Sequence, residues 1–97
     1  MKVDESSLNF EWDEGNTEKN IKHNVEDKEA EEIFLDDGKV ILKDTLHSEE
    51  EERFIILGKT KKDRLLYVVF TRRKQKIRII SARDINKKEV YLYEETT

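Results

Sequence analysis

The chain has no cysteine and no proline among its 97 residues. Without cysteine there can be neither a disulfide nor a thiolate metal site, and the simplest expectation is a cytoplasmic protein. Without proline, turns must be made by glycine, asparagine and aspartate. The three glycines are too scattered for a phosphate-cradling loop. The two histidines, His23 and His47, lack the spacing of metal ligands, so no metal and no cofactor are expected. No apolar run approaches the roughly 20 residues of a membrane helix. The opening Met1-Lys-Val-Asp-Glu5 is not a signal peptide. Serines and threonines have no histidine nearby in sequence, which sets a nucleophilic triad aside.

What the chain has is charge. Charged residues make up 43% of it, yet the apolar residues are clustered rather than diluted. That favours one folded domain over residues 1–97, with residues 1–7 expected to be flexible. The net charge of −4 conceals a polarised chain. Residues 1–52 carry 6 lysines and arginines against 18 acids; residues 53–97 carry 13 against 5. The second half is a plausible face for nucleic acid. The plainer reading is that the two halves attract one another.

The apolar pattern centres on the second half. In Arg64–Arg73, Leu65, Tyr67 and Val69 point to one face, and Leu66, Val68 and Phe70 to the other. This is a central strand covered on both sides. Arg53–Lys59 reads likewise, and Ile77 and Ile79 share a face in the next strand, whose other face mixes Arg78 with Ile80. Lys61–Asp63 and Arg73–Gln75 supply hairpin turns. Upstream, Leu8–Trp12 alternates as a short strand. Asp13 or Asn16 can cap a helix over about Thr17–His23, which stops at Asn24. A second helix spans about Asp27–Leu35, with Ala30, Ile33 and Phe34 as its apolar stripe. Val40–Leu42 is a strand, and Leu46–Glu52 is an acidic connection. Ser81–Asp84 fits a capping box opening a last helix to about Glu94, whose positions 82, 85, 89, 92 and 93 share a face. The expected class is α+β, a mostly antiparallel mixed sheet with two N-terminal helices and one C-terminal helix.

Four arginines, Arg53, Arg64, Arg78 and Arg83, fall within or beside strands, which are rigid platforms. Such arginines can hold a phosphate bidentately and stabilise charge that grows in a transition state. RNA carries its own nucleophile, the 2′-hydroxyl. A metal-free ribonuclease therefore needs only a base, an acid and a phosphate clamp. Glu89 or His23 are candidates to move protons, with Tyr93 assisting. Lys22 and Lys87 join Arg53 and Arg64 as candidate RNA-backbone contacts. Set against this, a strand-end arginine more often pairs with a carboxylate. His23 also fits a helix C-terminal cap, Glu89 a partner of Arg78 or Arg83, and Trp12 and Tyr67 core positions. The run Glu49–Glu52 is most simply a solvated loop; its sharper reading is a mimic of nucleic-acid charge lying over the basic half.

Several runs resemble one known family. These are Phe10-Glu-Trp-Asp-Glu-Gly-Asn16, Lys22-His-Asn-Val25, Glu29-Ala-Glu-Glu-Ile-Phe34, Arg53-Phe-Ile-Ile-Leu-Gly58, Arg64-Leu-Leu-Tyr-Val-Val-Phe70 and Ile77-Arg-Ile-Ile-Ser-Ala-Arg83, with Lys88-Glu89 and Tyr93. Together they resemble the BrnT toxins, from about Phe10 to Glu94. The resemblance implies a RelE-like fold and metal-independent ribonuclease activity. It also implies a type II toxin–antitoxin pairing with a BrnA-like antitoxin, through which alone operator DNA would be bound, in a hetero-oligomer. On this reading Arg78 and Arg83 clamp the scissile phosphate and His23 belongs with them in the catalytic set, to which Glu89 and Tyr93 are added from the helix face they share. The alternative is a non-catalytic protein-binding module whose basic face receives an acidic partner peptide.

Overall fold

A computed structural model describes residues 8–45 and 51–96, so the expectations for residues 1–7 and 46–50 lie outside the described residues. Strand β1 (Phe10–Glu11) leads into helices α1 (Glu14–Lys22) and α2 (Asp27–Glu32), the latter extended by a 3-10 turn at Ile33–Leu35. Strands β2 (Val40–Lys43), β3 (Arg53–Lys59), β4 (Leu65–Arg73) and β5 (Lys76–Asp84) follow, then helix α3 (Lys87–Thr96). The sheet order is β1-β5-β4-β3-β2. Strands β2 to β5 are an antiparallel meander, and β1 pairs parallel to β5. The fold is α+β with a mixed five-stranded sheet. Among the described residues, no helix is long and apolar enough to cross a membrane.

Local chemistry explains the boundaries. Helix α1 starts at Glu14, three residues before the position expected from sequence, because Asp13 and Asn16 cap it together. Gly15 N and Asn16 N donate to Asp13 Oδ1, while Asp13 N donates to Asn16 Oδ1 at 2.8 Å. Asn24 ends the helical region in the left-handed conformation, at φ 58°. Lys74 and Gln75 both have positive φ, at 47° and 71°, and make the two-residue turn joining β4 to β5.

The sheet is apolar on both faces where it is covered. Leu66, Val68 and Phe70 of β4 pack with Val25, Ala30, Ile33 and Phe34 under α1 and α2, and Phe34 meets Phe10 and Phe70 edge-on. On the other face Leu65 and Tyr67 pack with Val40, Leu57, Ile85 and Tyr93 of α3. Trp12 is partly buried against the larger core, and its Nε1 donates to Glu31 Oε2.

One expected boundary is corrected. Residues Ser81–Asp84 do not open the last helix; they are the end of β5. Phe70 pairs with Ile79 and Val69 with Ser81, leaving Ile80 as the extra residue of a bulge. The bulge shifts the alternation, so Ala82 joins Ile77 and Ile79 in the larger core. Helix α3 is instead capped by Asn86, whose Oδ1 accepts from Glu89 N while Asn86 N donates to Glu89 Oε1, each at 2.9 Å.

Candidate functional site

The strand registers set a polar row across the face that carries α3. Glu11 pairs with Arg78, Arg78 with Thr71, and Thr71 with Arg53. Directly opposed residues point to the same side of a sheet. Arg73, two residues beyond Thr71 on β4, points the same way. With Gly15, Asn16, Glu51 and Ile80, the three arginines Arg53, Arg73 and Arg78 line one cleft of about 220 Å³.

Carboxylates answer these arginines. Arg78 Nη1 donates to Glu11 Oε1 at 3.0 Å and to Asp13 Oδ2 at 2.8 Å, and Nη2 to Asp13 Oδ1 at 3.1 Å. The Asp13 carboxylate is held below its usual range, first by the Arg78 hydrogen bond and then by Asn16 N–H. Arg73 Nε donates to Glu51 Oε2 at 2.7 Å and Nη2 to Glu51 Oε1 at 3.3 Å. That fork lowers the Glu51 carboxylate, with the charges of Arg53 and Arg78 adding to it. Thr71 is 1% exposed and donates its hydroxyl to the Glu52 carbonyl at 2.6 Å, tying the segment that bears Glu51 to the sheet. The acidic first half and basic second half thus meet at this cleft, as the plainer reading of the charge pattern anticipated.

The other expected site residues lie elsewhere. Arg83 is opposite Tyr67 in the next strand, and its guanidinium sits 3.9 Å above the ring centre. Both oxygens of Glu89 take hydrogen bonds from Arg83, at 2.9 and 2.7 Å. Arg83 lies five positions along β5 from Arg78, roughly 15 Å of strand. Tyr93 is 7% exposed and donates its hydroxyl to Asp36 Oδ2 at 2.7 Å. Arg64 precedes the opposite end of β4 from Arg73, roughly 30 Å away along the strand. There it binds Asp84 Oδ1, Glu29 and the Asn24 carbonyl. These contacts tie α2, β5 and the turn after α1 together, and Arg64 does not line the cleft. His23 is exposed in that turn, about 10 Å of helix from Asn16. Lys22 ends α1, its side chain outside the described residues, and Lys87 is exposed at the start of α3.

Of the four strand arginines that the sequence singles out, Arg53 and Arg78 line this cleft, while Arg64 and Arg83 do not. Arg73 joins Arg53 and Arg78 from what reads in sequence as a hairpin turn, and Glu51 from the acidic run whose sharper reading is a charge mimic over the basic half. A signal was present: a two-residue turn at Lys74–Gln75 pairs residue 73 with 76, and so 71 with 78.

The family model describing the ribonuclease toxin BrnT of type II toxin–antitoxin systems matches residues 12–89. The chain belongs to the BrnT family. A search of curated proteins gave no significant match. As a BrnT family member the chain is a ribonuclease toxin of a type II system, with RNA as its substrate and an antitoxin as its partner. The matched span holds the whole arginine set and Glu89, while Glu11 and Tyr93 lie just outside it.

Proposed function

We propose that the cleft bounded by Arg53, Arg73 and Arg78 is where this BrnT toxin binds the scissile phosphate of RNA and cleaves it without a metal. The supporting observation is that three arginines, one from each of three adjacent strands, line one open cleft. In the reaction the 2′-oxygen attacks the adjacent phosphorus and the bond to the 5′-oxygen breaks. A base takes the 2′-hydroxyl proton, an acid supplies one to the leaving oxygen, and the products end in a 2′,3′-cyclic phosphate and a 5′-hydroxyl. Negative charge grows on the phosphoryl oxygens, and preformed arginine donors stabilise it. His23 and Glu89 do not line the cleft, so on this reading the arginines supply the larger share of the rate. Arg83, packed on Tyr67, and the exposed Lys87 take the neighbouring stretch of RNA backbone. A BrnA-like antitoxin neutralises the toxin.

The test is incubation of the purified toxin with end-labelled RNA in EDTA, alone and with ribosomes, beside Arg78→Ala. Cleavage with cyclic phosphate ends, falling about 100-fold or more in the variant, supports the reading. Cleavage that needs added metal, or an Arg78→Ala variant as active as the wild type, rejects it. The Glu51 fork on Arg73 shows that a carboxylate also fits the cleft. Tight binding of an acidic peptide with RNA left intact would therefore favour the protein-binding module.

A further inference from the structure

We propose that Glu51 is a built-in counter-ion of the RNA site, seated on Arg73 in the free toxin and displaced when an RNA phosphate enters. The inference rests on the cleft being the phosphate site. Arg73 presents its Nε and Nη2 to Glu51 as a two-pronged fork, the geometry arginine uses for carboxylate and phosphate alike. The carboxylate lies in the cleft that Arg53 and Arg78 also line, so it sits where a phosphodiester would gain from all three cations.

The three carboxylates around the cleft differ in how firmly the fold holds them. Glu11 belongs to β1, in register with Arg78. Asp13 caps α1 through Gly15 N and Asn16 N while it binds Arg78. Asp13 cannot withdraw without undoing the cap of α1, and Glu11 lies within 4 Å of both Arg78 and Arg73, at 3.0 and 3.8 Å. Glu51 precedes β3, and what anchors its neighbourhood is the Thr71 hydroxyl on the Glu52 carbonyl, a contact that leaves the Glu51 side chain able to turn. On the arginine side the pairs differ too: the Arg73 side chain is 47% exposed against 16% for Arg78, so the Arg73–Glu51 pair is open to solvent at its cation. Ion pairs this exposed are weak and are readily exchanged for a better anion. A phosphodiester bridging three arginines is such an anion, whereas stray monovalent anions have to compete with a tethered carboxylate. The device raises the threshold for occupying the cleft and delivers Arg73 already oriented.

The measurement is binding of a short fluorescent single-stranded RNA, 2′-O-methylated throughout so that its own nucleophile is blocked, to the full chain in EDTA at several salt concentrations. Wild type, Glu51→Gln, Arg78→Ala and Glu95→Gln are compared. Glu95 is an exposed acid near the end of α3 and controls for net charge. Glu51→Gln is expected to bind about threefold to tenfold tighter at low salt, the gain shrinking as salt screens the charge, while Glu95→Gln matches wild type. If Glu51→Gln binds no tighter than wild type while Arg78→Ala is weakened, the counter-ion role is wrong and the phosphate site stands. An equal gain from Glu95→Gln also overturns the role, reducing it to net charge. If neither Arg78→Ala nor Glu51→Gln changes binding, the phosphate site itself is wrong.

Discussion

The hydroxyl of Tyr93 donates to Asp36 Oδ2 at 2.7 Å, joining α3 to the loop before β2 across 57 positions of sequence. Asp36 also accepts from Gly38 N and Lys59 N. Burial pushes its carboxyl upward, but these hydrogen bonds outweigh burial and hold it below its usual range. Burial and the same carboxylate push the Tyr93 phenol up to about 12 from an ordinary 10.0. The protonated phenol therefore stabilises the fold fully below pH 10, and that contribution is lost as pH rises towards 12. Tyr93→Phe should cost about 1–2 kcal/mol in urea unfolding at pH 7 and flatten the alkaline fall in stability. Cleavage per folded molecule should stay within about twofold of wild type, whereas loss of a proton carrier would cost about 100-fold or more.

Gly58 is needed for a different reason. A Cβ at this position would lie 2.8 Å from Ile33 Cβ and 2.9 Å from the Ile33 carbonyl oxygen. The 3-10 turn after α2 therefore crosses β3 where only hydrogen fits. Gly58→Ala should destabilise the protein by about 1–3 kcal/mol, because backbone rather than a flexible side chain must move. The check is the urea midpoint, with an unchanged m-value showing that the native fold persists.

Much of this architecture was legible because the strands are long and their apolar residues alternate. Arg53–Lys59 was bounded correctly, and the division of Leu65, Tyr67 and Val69 from Leu66, Val68 and Phe70 places the two groups on the faces observed. The start of α3 was not legible. The bulge at Ile80 leaves a spacing of three between Ile79 and Ala82, which imitates a helix, and Ser81 three residues before Asp84 imitates its cap. The candidate site was half legible. An arginine's place on a strand can be read from alternation, but its neighbours across the sheet depend on register, which a single turn residue can change. Hence alternation groups Arg53, Arg64, Arg78 and Arg83 on strands, while register brings only Arg53 and Arg78 of these to the cleft and leaves Arg64 at the other end of β4.

Arg64 makes the clearest test of that distinction. Its Nε meets Asp84 Oδ1 at 2.7 Å, and its Nη1 meets the Asn24 carbonyl at 2.9 Å and Glu29 Oε1 at 3.1 Å. Its hydrogen bond to Asp84 and then that to Glu29 strengthen its hold on its proton, against burial. Arg64→Met should lower stability by about 1–2 kcal/mol, less than for a fully buried pair because Asp84 is well exposed. RNA affinity, measured well below the new unfolding midpoint, should not change. A loss of affinity matching that of Arg78→Ala would return Arg64 to the RNA surface.

The Arg83–Glu89 pair should respond unequally to loss of its two partners. Glu89 is 14% exposed and depends on Arg83 and Asn86 N, which together outweigh burial and hold its carboxyl below the ordinary 4.5. Arg83 has other company, in the Tyr67 ring and the Asp84 carbonyl at 3.0 Å. Arg83→Met strands a carboxylate in a half-buried place and should cost about 2–3 kcal/mol. Glu89→Gln keeps most of the α3 cap and should cost about 1 kcal/mol. Because the folded carboxylate titrates below the unfolded one, the Glu89 contribution is present above pH 4.5 and disappears as pH falls through its lowered value. The stability gap between wild type and Glu89→Gln should therefore close in acid, while the gap at pH 7 persists. Thermal unfolding followed by circular dichroism from pH 3 to pH 8 reads both. An Arg83→Met variant no less stable than Glu89→Gln would show that the carboxylate finds other partners, and the asymmetry argued from burial would be wrong.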